Sequence, residues 1–110
     1  MIPEVDPSEG HALVEGGALL LDVREPDEWA AGHAPGAYFL PLGQVQGRVD
    51  ELPTDRRIVA ICRSGGRSGT VTEALNAWGY DAVNFAGGMR AWARDGLPVV
   101  TDDGSPGTVI

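Results

Sequence analysis

The chain has 110 residues, 43% hydrophobic and 22% charged, a length and balance suited to one soluble globular domain with a real core. Its formal net charge is −8 and all eight basic residues are arginine, which argues against a nucleic acid or an anionic membrane as partner, since both favour an excess of positive surface. One cysteine excludes an internal disulfide and two histidines leave no zinc-ligand spacing; no apolar run reaches a membrane span and Met1-Ile2-Pro3-Glu4 lacks a secretory start, so the expected compartment is the cytoplasm.

Ile2-Pro3-Glu4-Val5 reads as a short edge strand, where a proline is tolerated. Asp6 and Pro7 predict a helix start, and the helix runs to about Glu15 and stops at Gly16-Gly17. Ala18-Leu19-Leu20-Leu21 is the continuous apolar run expected of a strand buried on both faces. Asp22-Val23-Arg24-Glu25 follows at its end, and Pro26 to Ala31 predicts one or two helical turns closed by Gly32. Sites in α/β folds form at the ends of parallel strands, so Asp22 and Arg24 could border one. The preferred reading makes Asp22 a helix cap and pairs Arg24 with Glu28, with Arg24 kept as a secondary site candidate. His33, in the Gly/Pro turn from Gly32 to Ala37, has no Asn or Asp to orient it and is read as structural; His11 is read as a surface residue.

Tyr38-Phe39-Leu40 predicts a strand ended by Pro41. Leu42, Val45, Val49 and Leu52 fall at helical spacing and predict a helix over 42–52. Ile58-Val59-Ala60-Ile61 is the next strand, and it leads into Cys62-Arg63-Ser64-Gly65-Gly66-Arg67-Ser68. Val71, Ala74, Leu75 and Trp78 then mark one face of a helix from about Ser68 to Trp78. Strand, tight loop and helix in that order place loop N–H groups and a helix start around the thiol. Such a start binds anions and favours thiolate over thiol. Arg63 and Arg67 add positive charge on either side of Ser64, Gly65 and Gly66, whose small side chains leave room for a ligand. This makes Cys62 the candidate nucleophile and residues 63–68 the candidate anion cradle. The arginines must act locally, within a Debye length of about 10 Å, because the rest of the surface is acidic. That acidity serves solubility, with selection of a basic partner protein as the other reading.

After Gly79-Tyr80, Ala82 to Phe85 predicts the last strand, and Gly87 to Gly96 a closing helix packed through Met89 and Trp92. Residues 1–100 form the domain; 101–110, rich in Asp, Gly, Ser and Pro, read as a flexible tail. Alternating strands and helices imply a parallel sheet covered on both faces.

The loop Cys62-Arg63-Ser64-Gly65-Gly66-Arg67 resembles the Cys-Arg-x-Gly-x-Arg loop of rhodanese-type sulfurtransferases. Asp22-Val23-Arg24 with Glu28-Trp29, Gly32-His33-Ala34-Pro35-Gly36-Ala37, and Gly87-Gly88 with Trp92 match further segments of that family. The resemblance spans roughly residues 2–100. It implies a single rhodanese-like α/β domain with a mostly parallel five-stranded sheet and helices on both faces. It also implies a chemistry: Cys62 takes sulfur from a small anionic donor such as thiosulfate, carries it as a persulfide, and passes it to a thiol or cyanide, with no metal or organic cofactor. An acceptor protein is a further candidate partner. Arg67 is the first choice for the anion contact, with Arg63 the alternative, turned outward to recruit a donor.

Two other readings compete. A cysteine phosphatase or arsenate reductase uses a related Cys-to-Arg loop. The phosphatase signature is one residue longer, however, and no second cysteine is present to resolve an arsenate-reductase intermediate. A non-catalytic persulfide carrier or regulatory interaction module would keep the fold without turnover.

Overall fold

In a computed structural model, residues 2–110 are described. Strands and helices alternate as β1 (Glu4–Val5), α1 (Pro7–Glu15), β2 (Leu19–Asp22), α2 (Pro26–Ala31), β3 (Tyr38–Phe39), α3 (Leu42–Val45), β4 (Ile58–Ile61), α4 (Gly66–Ala77), β5 (Ala82–Phe85) and α5 (Gly88–Arg94). The five strands form one sheet in the order β1-β5-β4-β2-β3, and every neighbouring pair is parallel. The all-apolar β4 takes the central place that its composition demands, with each of its residues fully buried.

Side chains along β4 alternate between the two faces. Ile58 and Ala60 join Leu21, Val45, Val71 and Leu75 under α3 and α4, whereas Val59 and Ile61 join Leu20, Phe85, Met89 and Trp92 under α1 and α5. Each fully buried Leu or Ile of this kind stabilises the fold by about 2 kcal/mol. Asp6 caps α1 through a 2.8 Å bond from the Glu9 N–H, as its position before Pro7 leads one to expect.

The chain turns one way after β2, to β3, and the other way after β4, to β5. The carboxyl ends of β2 and β4 therefore flank a topological switch point, where parallel sheets open a crevice. Cys62 lies immediately beyond β4, and Asp22 to Glu28 lie beyond β2.

Three elements depart from expectation. The helix expected over 42–52 is a single α turn followed by a 3-10 segment, Gln46–Glu51, with Arg48 outside helical backbone angles. Gly43 and Gly47 weaken an α-helix there, while Val45 and Leu52 still reach the core. On α4 the buried stripe is Ser68, Val71, Thr72 and Leu75, and Trp78 is 44% exposed at the helix end. The stripe thus starts one turn earlier than expected and carries two hydroxyls.

Residues 101–110, expected as a loose tail, fold back on the domain. Asp103 accepts from Thr101 Oγ1 and the Ser105 N–H, which turns the chain, and the returning arm donates from Gly107 N to Val99 O and from Thr108 N to Ala31 O. Val109 packs against the core on the α1/α5 face. The polar composition marked a turn, and the apolar residues beyond it give that turn something to dock.

Candidate active site

Cys62 follows directly on the central strand with its side chain under the loop that starts α4, and the residue is 1% exposed. Gly65 holds a φ of +113°, a left-handed conformation that brings its N–H back to within 3.1 Å of Cys62 Sγ. Ser68, on the first turn of α4 and fully buried, places its hydroxyl 3.2 Å from the same sulfur. Burial pushes the thiol up, but bonds from the Ser68 hydroxyl and the backbone N–H groups of Ser68, Gly65 and Ser64 outweigh it, so the pKa lies below the ordinary thiol value. The twelve-residue α4 points its positive end at the same atom. Above the sulfur, Arg63, Ser64 and Gly66 are exposed.

The arginines sit differently from one another. Arg67, expected to grip an anion, makes a bidentate pair with Glu28 of α2, at 2.7 and 2.9 Å. Arg67 holds the Glu28 carboxyl well down, to about 2, and Glu28 raises Arg67 in turn. The arrangement is a brace across the switch point that keeps a positive charge near Cys62 without leaving a free fork for a ligand. Arg63 points outward, where its Nε donates to the Ile110 backbone oxygen at 2.8 Å.

Arg24 makes its hydrogen bonds away from the loop. Its guanidinium is fully buried, donates to both Asp22 oxygens at 2.8–3.1 Å and to Gly32 O, and leaves only Nη1 without a partner among the described residues. Asp22 consequently caps no helix, and Glu28 does not pair with Arg24: the start of α2 is closed by Glu25 and Glu28 bonding reciprocally to each other's backbone. His33 stacks on Trp29, with ring centroids 3.5 Å apart, and its Nδ1 faces the Trp29 carbonyl at 2.9 Å. That carbonyl can only accept, which assigns the proton to Nδ1.

Two contributors were not visible in the loop's own sequence. Asn84 of β5 accepts from the Ser68 hydroxyl at 2.6 Å and donates at 3.0 Å to both Gly65 O and Glu4 Oε2. Its signal was a carboxamide in the middle of an apolar strand. The start of α5 donates from Met89 N to Cys62 O at 2.7 Å and from Arg90 N to Arg63 O at 3.0 Å. Gly88 permits this approach, since a Cβ there would lie 2.5 Å from Cys62 O.

The arrangement can stabilise a sulfur anion and hold it at the mouth of a small loop. The sequence profile of the rhodanese-like domain matches residues 6–95. A sulfurtransferase of Allochromatium vinosum is 46% identical over 87 residues, covering 78% of this chain and 81% of that protein. Among solved structures, a rhodanese-related protein from Thermoplasma volcanium superposes with a TM-score of 0.86 at 27% identity, over 91% of this chain and 99% of that one. A thiosulfate sulfurtransferase from Pseudomonas aeruginosa superposes with a TM-score of 0.82 at 25% identity, over 99% of this chain and 22% of that one.

Proposed function

Because the chain belongs to the rhodanese-like domain family, we propose that it is a sulfurtransferase in which Cys62 carries the travelling sulfur atom. The observation that carries this reading is the sulfur of Cys62, held by the Gly65 N–H and the Ser68 hydroxyl with its pKa lowered. The Cys62 thiolate attacks the outer sulfur of a small anionic donor such as thiosulfate. A bond forms between the two sulfurs, the bond to the sulfonate sulfur breaks, and sulfite leaves with the electron pair. Cys62 is then a persulfide anion, and the N–H groups at the start of α4 face the negative charge as it moves outward. A thiolate or cyanide attacks the outer sulfur in turn and releases the Cys62 thiolate. In this reading Arg67, braced by Glu28, supplies a fixed positive charge near the donor, and the exposed Arg63 exchanges its bond to the Ile110 oxygen for an anionic donor or an acceptor protein. A free thiol nucleophile suits a reducing compartment, so the cytoplasm is the proposed place of action.

The test is intact mass spectrometry of the reduced protein after thiosulfate, beside Cys62→Ser. One added sulfur on wild type only, removed by cyanide with thiocyanate released, is the expected result. An adduct that no acceptor removes would turn the reading to a carrier. Hydrolysis of an aryl phosphate without any adduct would turn it to a phosphatase.

A further inference from the structure

We propose that Asn84 is the positioning residue of the sulfur site: one carboxamide holds the Gly65 carbonyl and the Ser68 hydroxyl together, and so fixes the two residues whose N–H and hydroxyl lie closest to Cys62 Sγ. The proposal deepens the reading above and rests on Cys62 being the reacting sulfur.

Asn84 is 2% exposed, between Val83 and Phe85 on β5. A buried carboxamide in such a strand is costly unless its polar atoms are paired. Here they are. Both Nδ2 hydrogens are used, one on Gly65 O and one on Glu4 Oε2, each at 3.0 Å. Neither partner can donate, so the amide cannot turn over, and Oδ1 is left facing Ser68 Oγ at 2.6 Å. Gly65 O also accepts from Gly69 N at 3.1 Å, which fills both of its acceptor positions and locks the cap peptide. Asn84 thus grips two residues of the cradle from the neighbouring strand, and Glu4 of β1 steadies it from behind.

The Ser68 hydroxyl has one hydrogen and two acceptors within reach, Asn84 Oδ1 and Cys62 Sγ. Beside a thiol, that hydrogen goes to Asn84 and the S–H can donate to Ser68 Oγ. On ionisation the hydroxyl hydrogen turns to the sulfur while Oγ stays in place. Asn84 therefore acts in two opposed ways, as a rival for one hydrogen and as an anchor for two donors. The anchor wins, because it holds two donors in place, each making a charge-assisted bond to sulfur roughly twice as strong as the single neutral bond that is given up. Removing Asn84 should consequently raise the thiol pKa, not lower it.

The test uses Asn84→Leu, Ser68→Ala and the double variant in the full chain. Thiolate formation is followed by ultraviolet absorbance against pH, and by the rate of alkylation by iodoacetamide. We expect Asn84→Leu to raise the Cys62 midpoint by about one unit, so that alkylation below the midpoint slows about tenfold. The double variant should shift by less than the two single shifts together, because part of the Asn84 effect runs through Ser68 and only the part carried by Gly65 remains without it. An unchanged or lowered midpoint in folded Asn84→Leu, or shifts that add, would overturn the proposal. Should Asn84→Leu not fold, the wild type decides: the Asn84 side-chain amide resonances should move with pH at the Cys62 midpoint and stay still in Cys62→Ser, and a signal flat in wild type overturns it. These readouts follow the thiol itself, so a protein that fails to transfer sulfur still gives an answer here.

Discussion

Helices α4 and α5 begin alike and are used in opposite ways. Each opens with a pair of glycines, Gly65-Gly66 and Gly87-Gly88, and each N-cap glycine is left-handed with no side-chain cap, at φ of +113° and +77°. At α5 the unpaired N–H groups are spent on the protein, on the carbonyls of Cys62 and Arg63. At α4 the N–H groups of Ser64, Gly65 and Ser68 bear on Cys62 Sγ instead. The glycines beside them differ accordingly. A Cβ on Gly88 would meet Cys62 O and Arg63 O at 2.5 and 2.6 Å, whereas one on Gly66 would meet nothing within 4 Å. One helix start is a clamp and the other a cradle, and what decides is whether backbone or open space lies ahead.

Breaking the clamp should have the largest effect. Gly88→Ala combines a left-handed φ of +59° with a backbone clash, for a loss of about 3 kcal/mol or more in denaturant melts. Sulfur loading should fall with it even at temperatures where the variant is folded, because the Cys62 and Arg63 carbonyls lose their donors.

A smaller loss is expected at the brace between α2 and α4. Arg67 is 36% exposed on its side chain, so Glu28→Gln should cost only about 1 kcal/mol near neutral pH. The sign with pH is fixed by the carboxyl. Its pKa is lowered from 4.5 to about 2 in the folded protein, so the folded state holds fewer protons between those values. The advantage of wild type over Glu28→Gln is complete above about 4.5 and shrinks as pH falls toward 2; melts of the two proteins across that window measure it.

The smallest effect belongs to the cradle's own second glycine. Gly66 does not need a positive φ and has open space around it, so Gly66→Ala should leave stability unchanged or raise it by about 0.5 kcal/mol. Thiosulfate loading should slow, because a methyl group now stands at the mouth. If Gly66→Ala proved as damaging as Gly88→Ala, the distinction between clamp and cradle would fail.

The order of elements and the parallel sheet were legible because the inner strands are largely apolar runs, as with Ile58 to Ile61, and helix starts carry local signals, as with Asp6-Pro7 and α1. The cradle was legible as a unit because Cys62 to Ser68 are contiguous. What could not be read was tertiary. Glu28 reaches Arg67 across 39 positions, and Asn84 reaches Ser68 across 16. Asp22 and Arg24 were expected near a helix cap and a glutamate, but the buried guanidinium at the end of β2 takes the nearest carboxylate, two residues away. Over 42–52 the apolar spacing outweighed Gly43 and Gly47 in the reading, whereas in the fold those glycines broke the helix. The last ten residues looked loose on composition alone, and only the docking of Val109 shows why they are not.

The clamp also sets a timetable. Cys62 leaves the ribosome before Met89 and Arg90, whose N–H groups hold the Cys62 and Arg63 carbonyls, and before Asn84, which holds Gly65 and Ser68. A growing chain that has reached α4 has its thiol and its arginines but not the supports that place them. Until those supports dock, the Cys62 thiol should titrate like an unperturbed one, and the lowered pKa of the folded protein is expected only once β5 and α5 are in place.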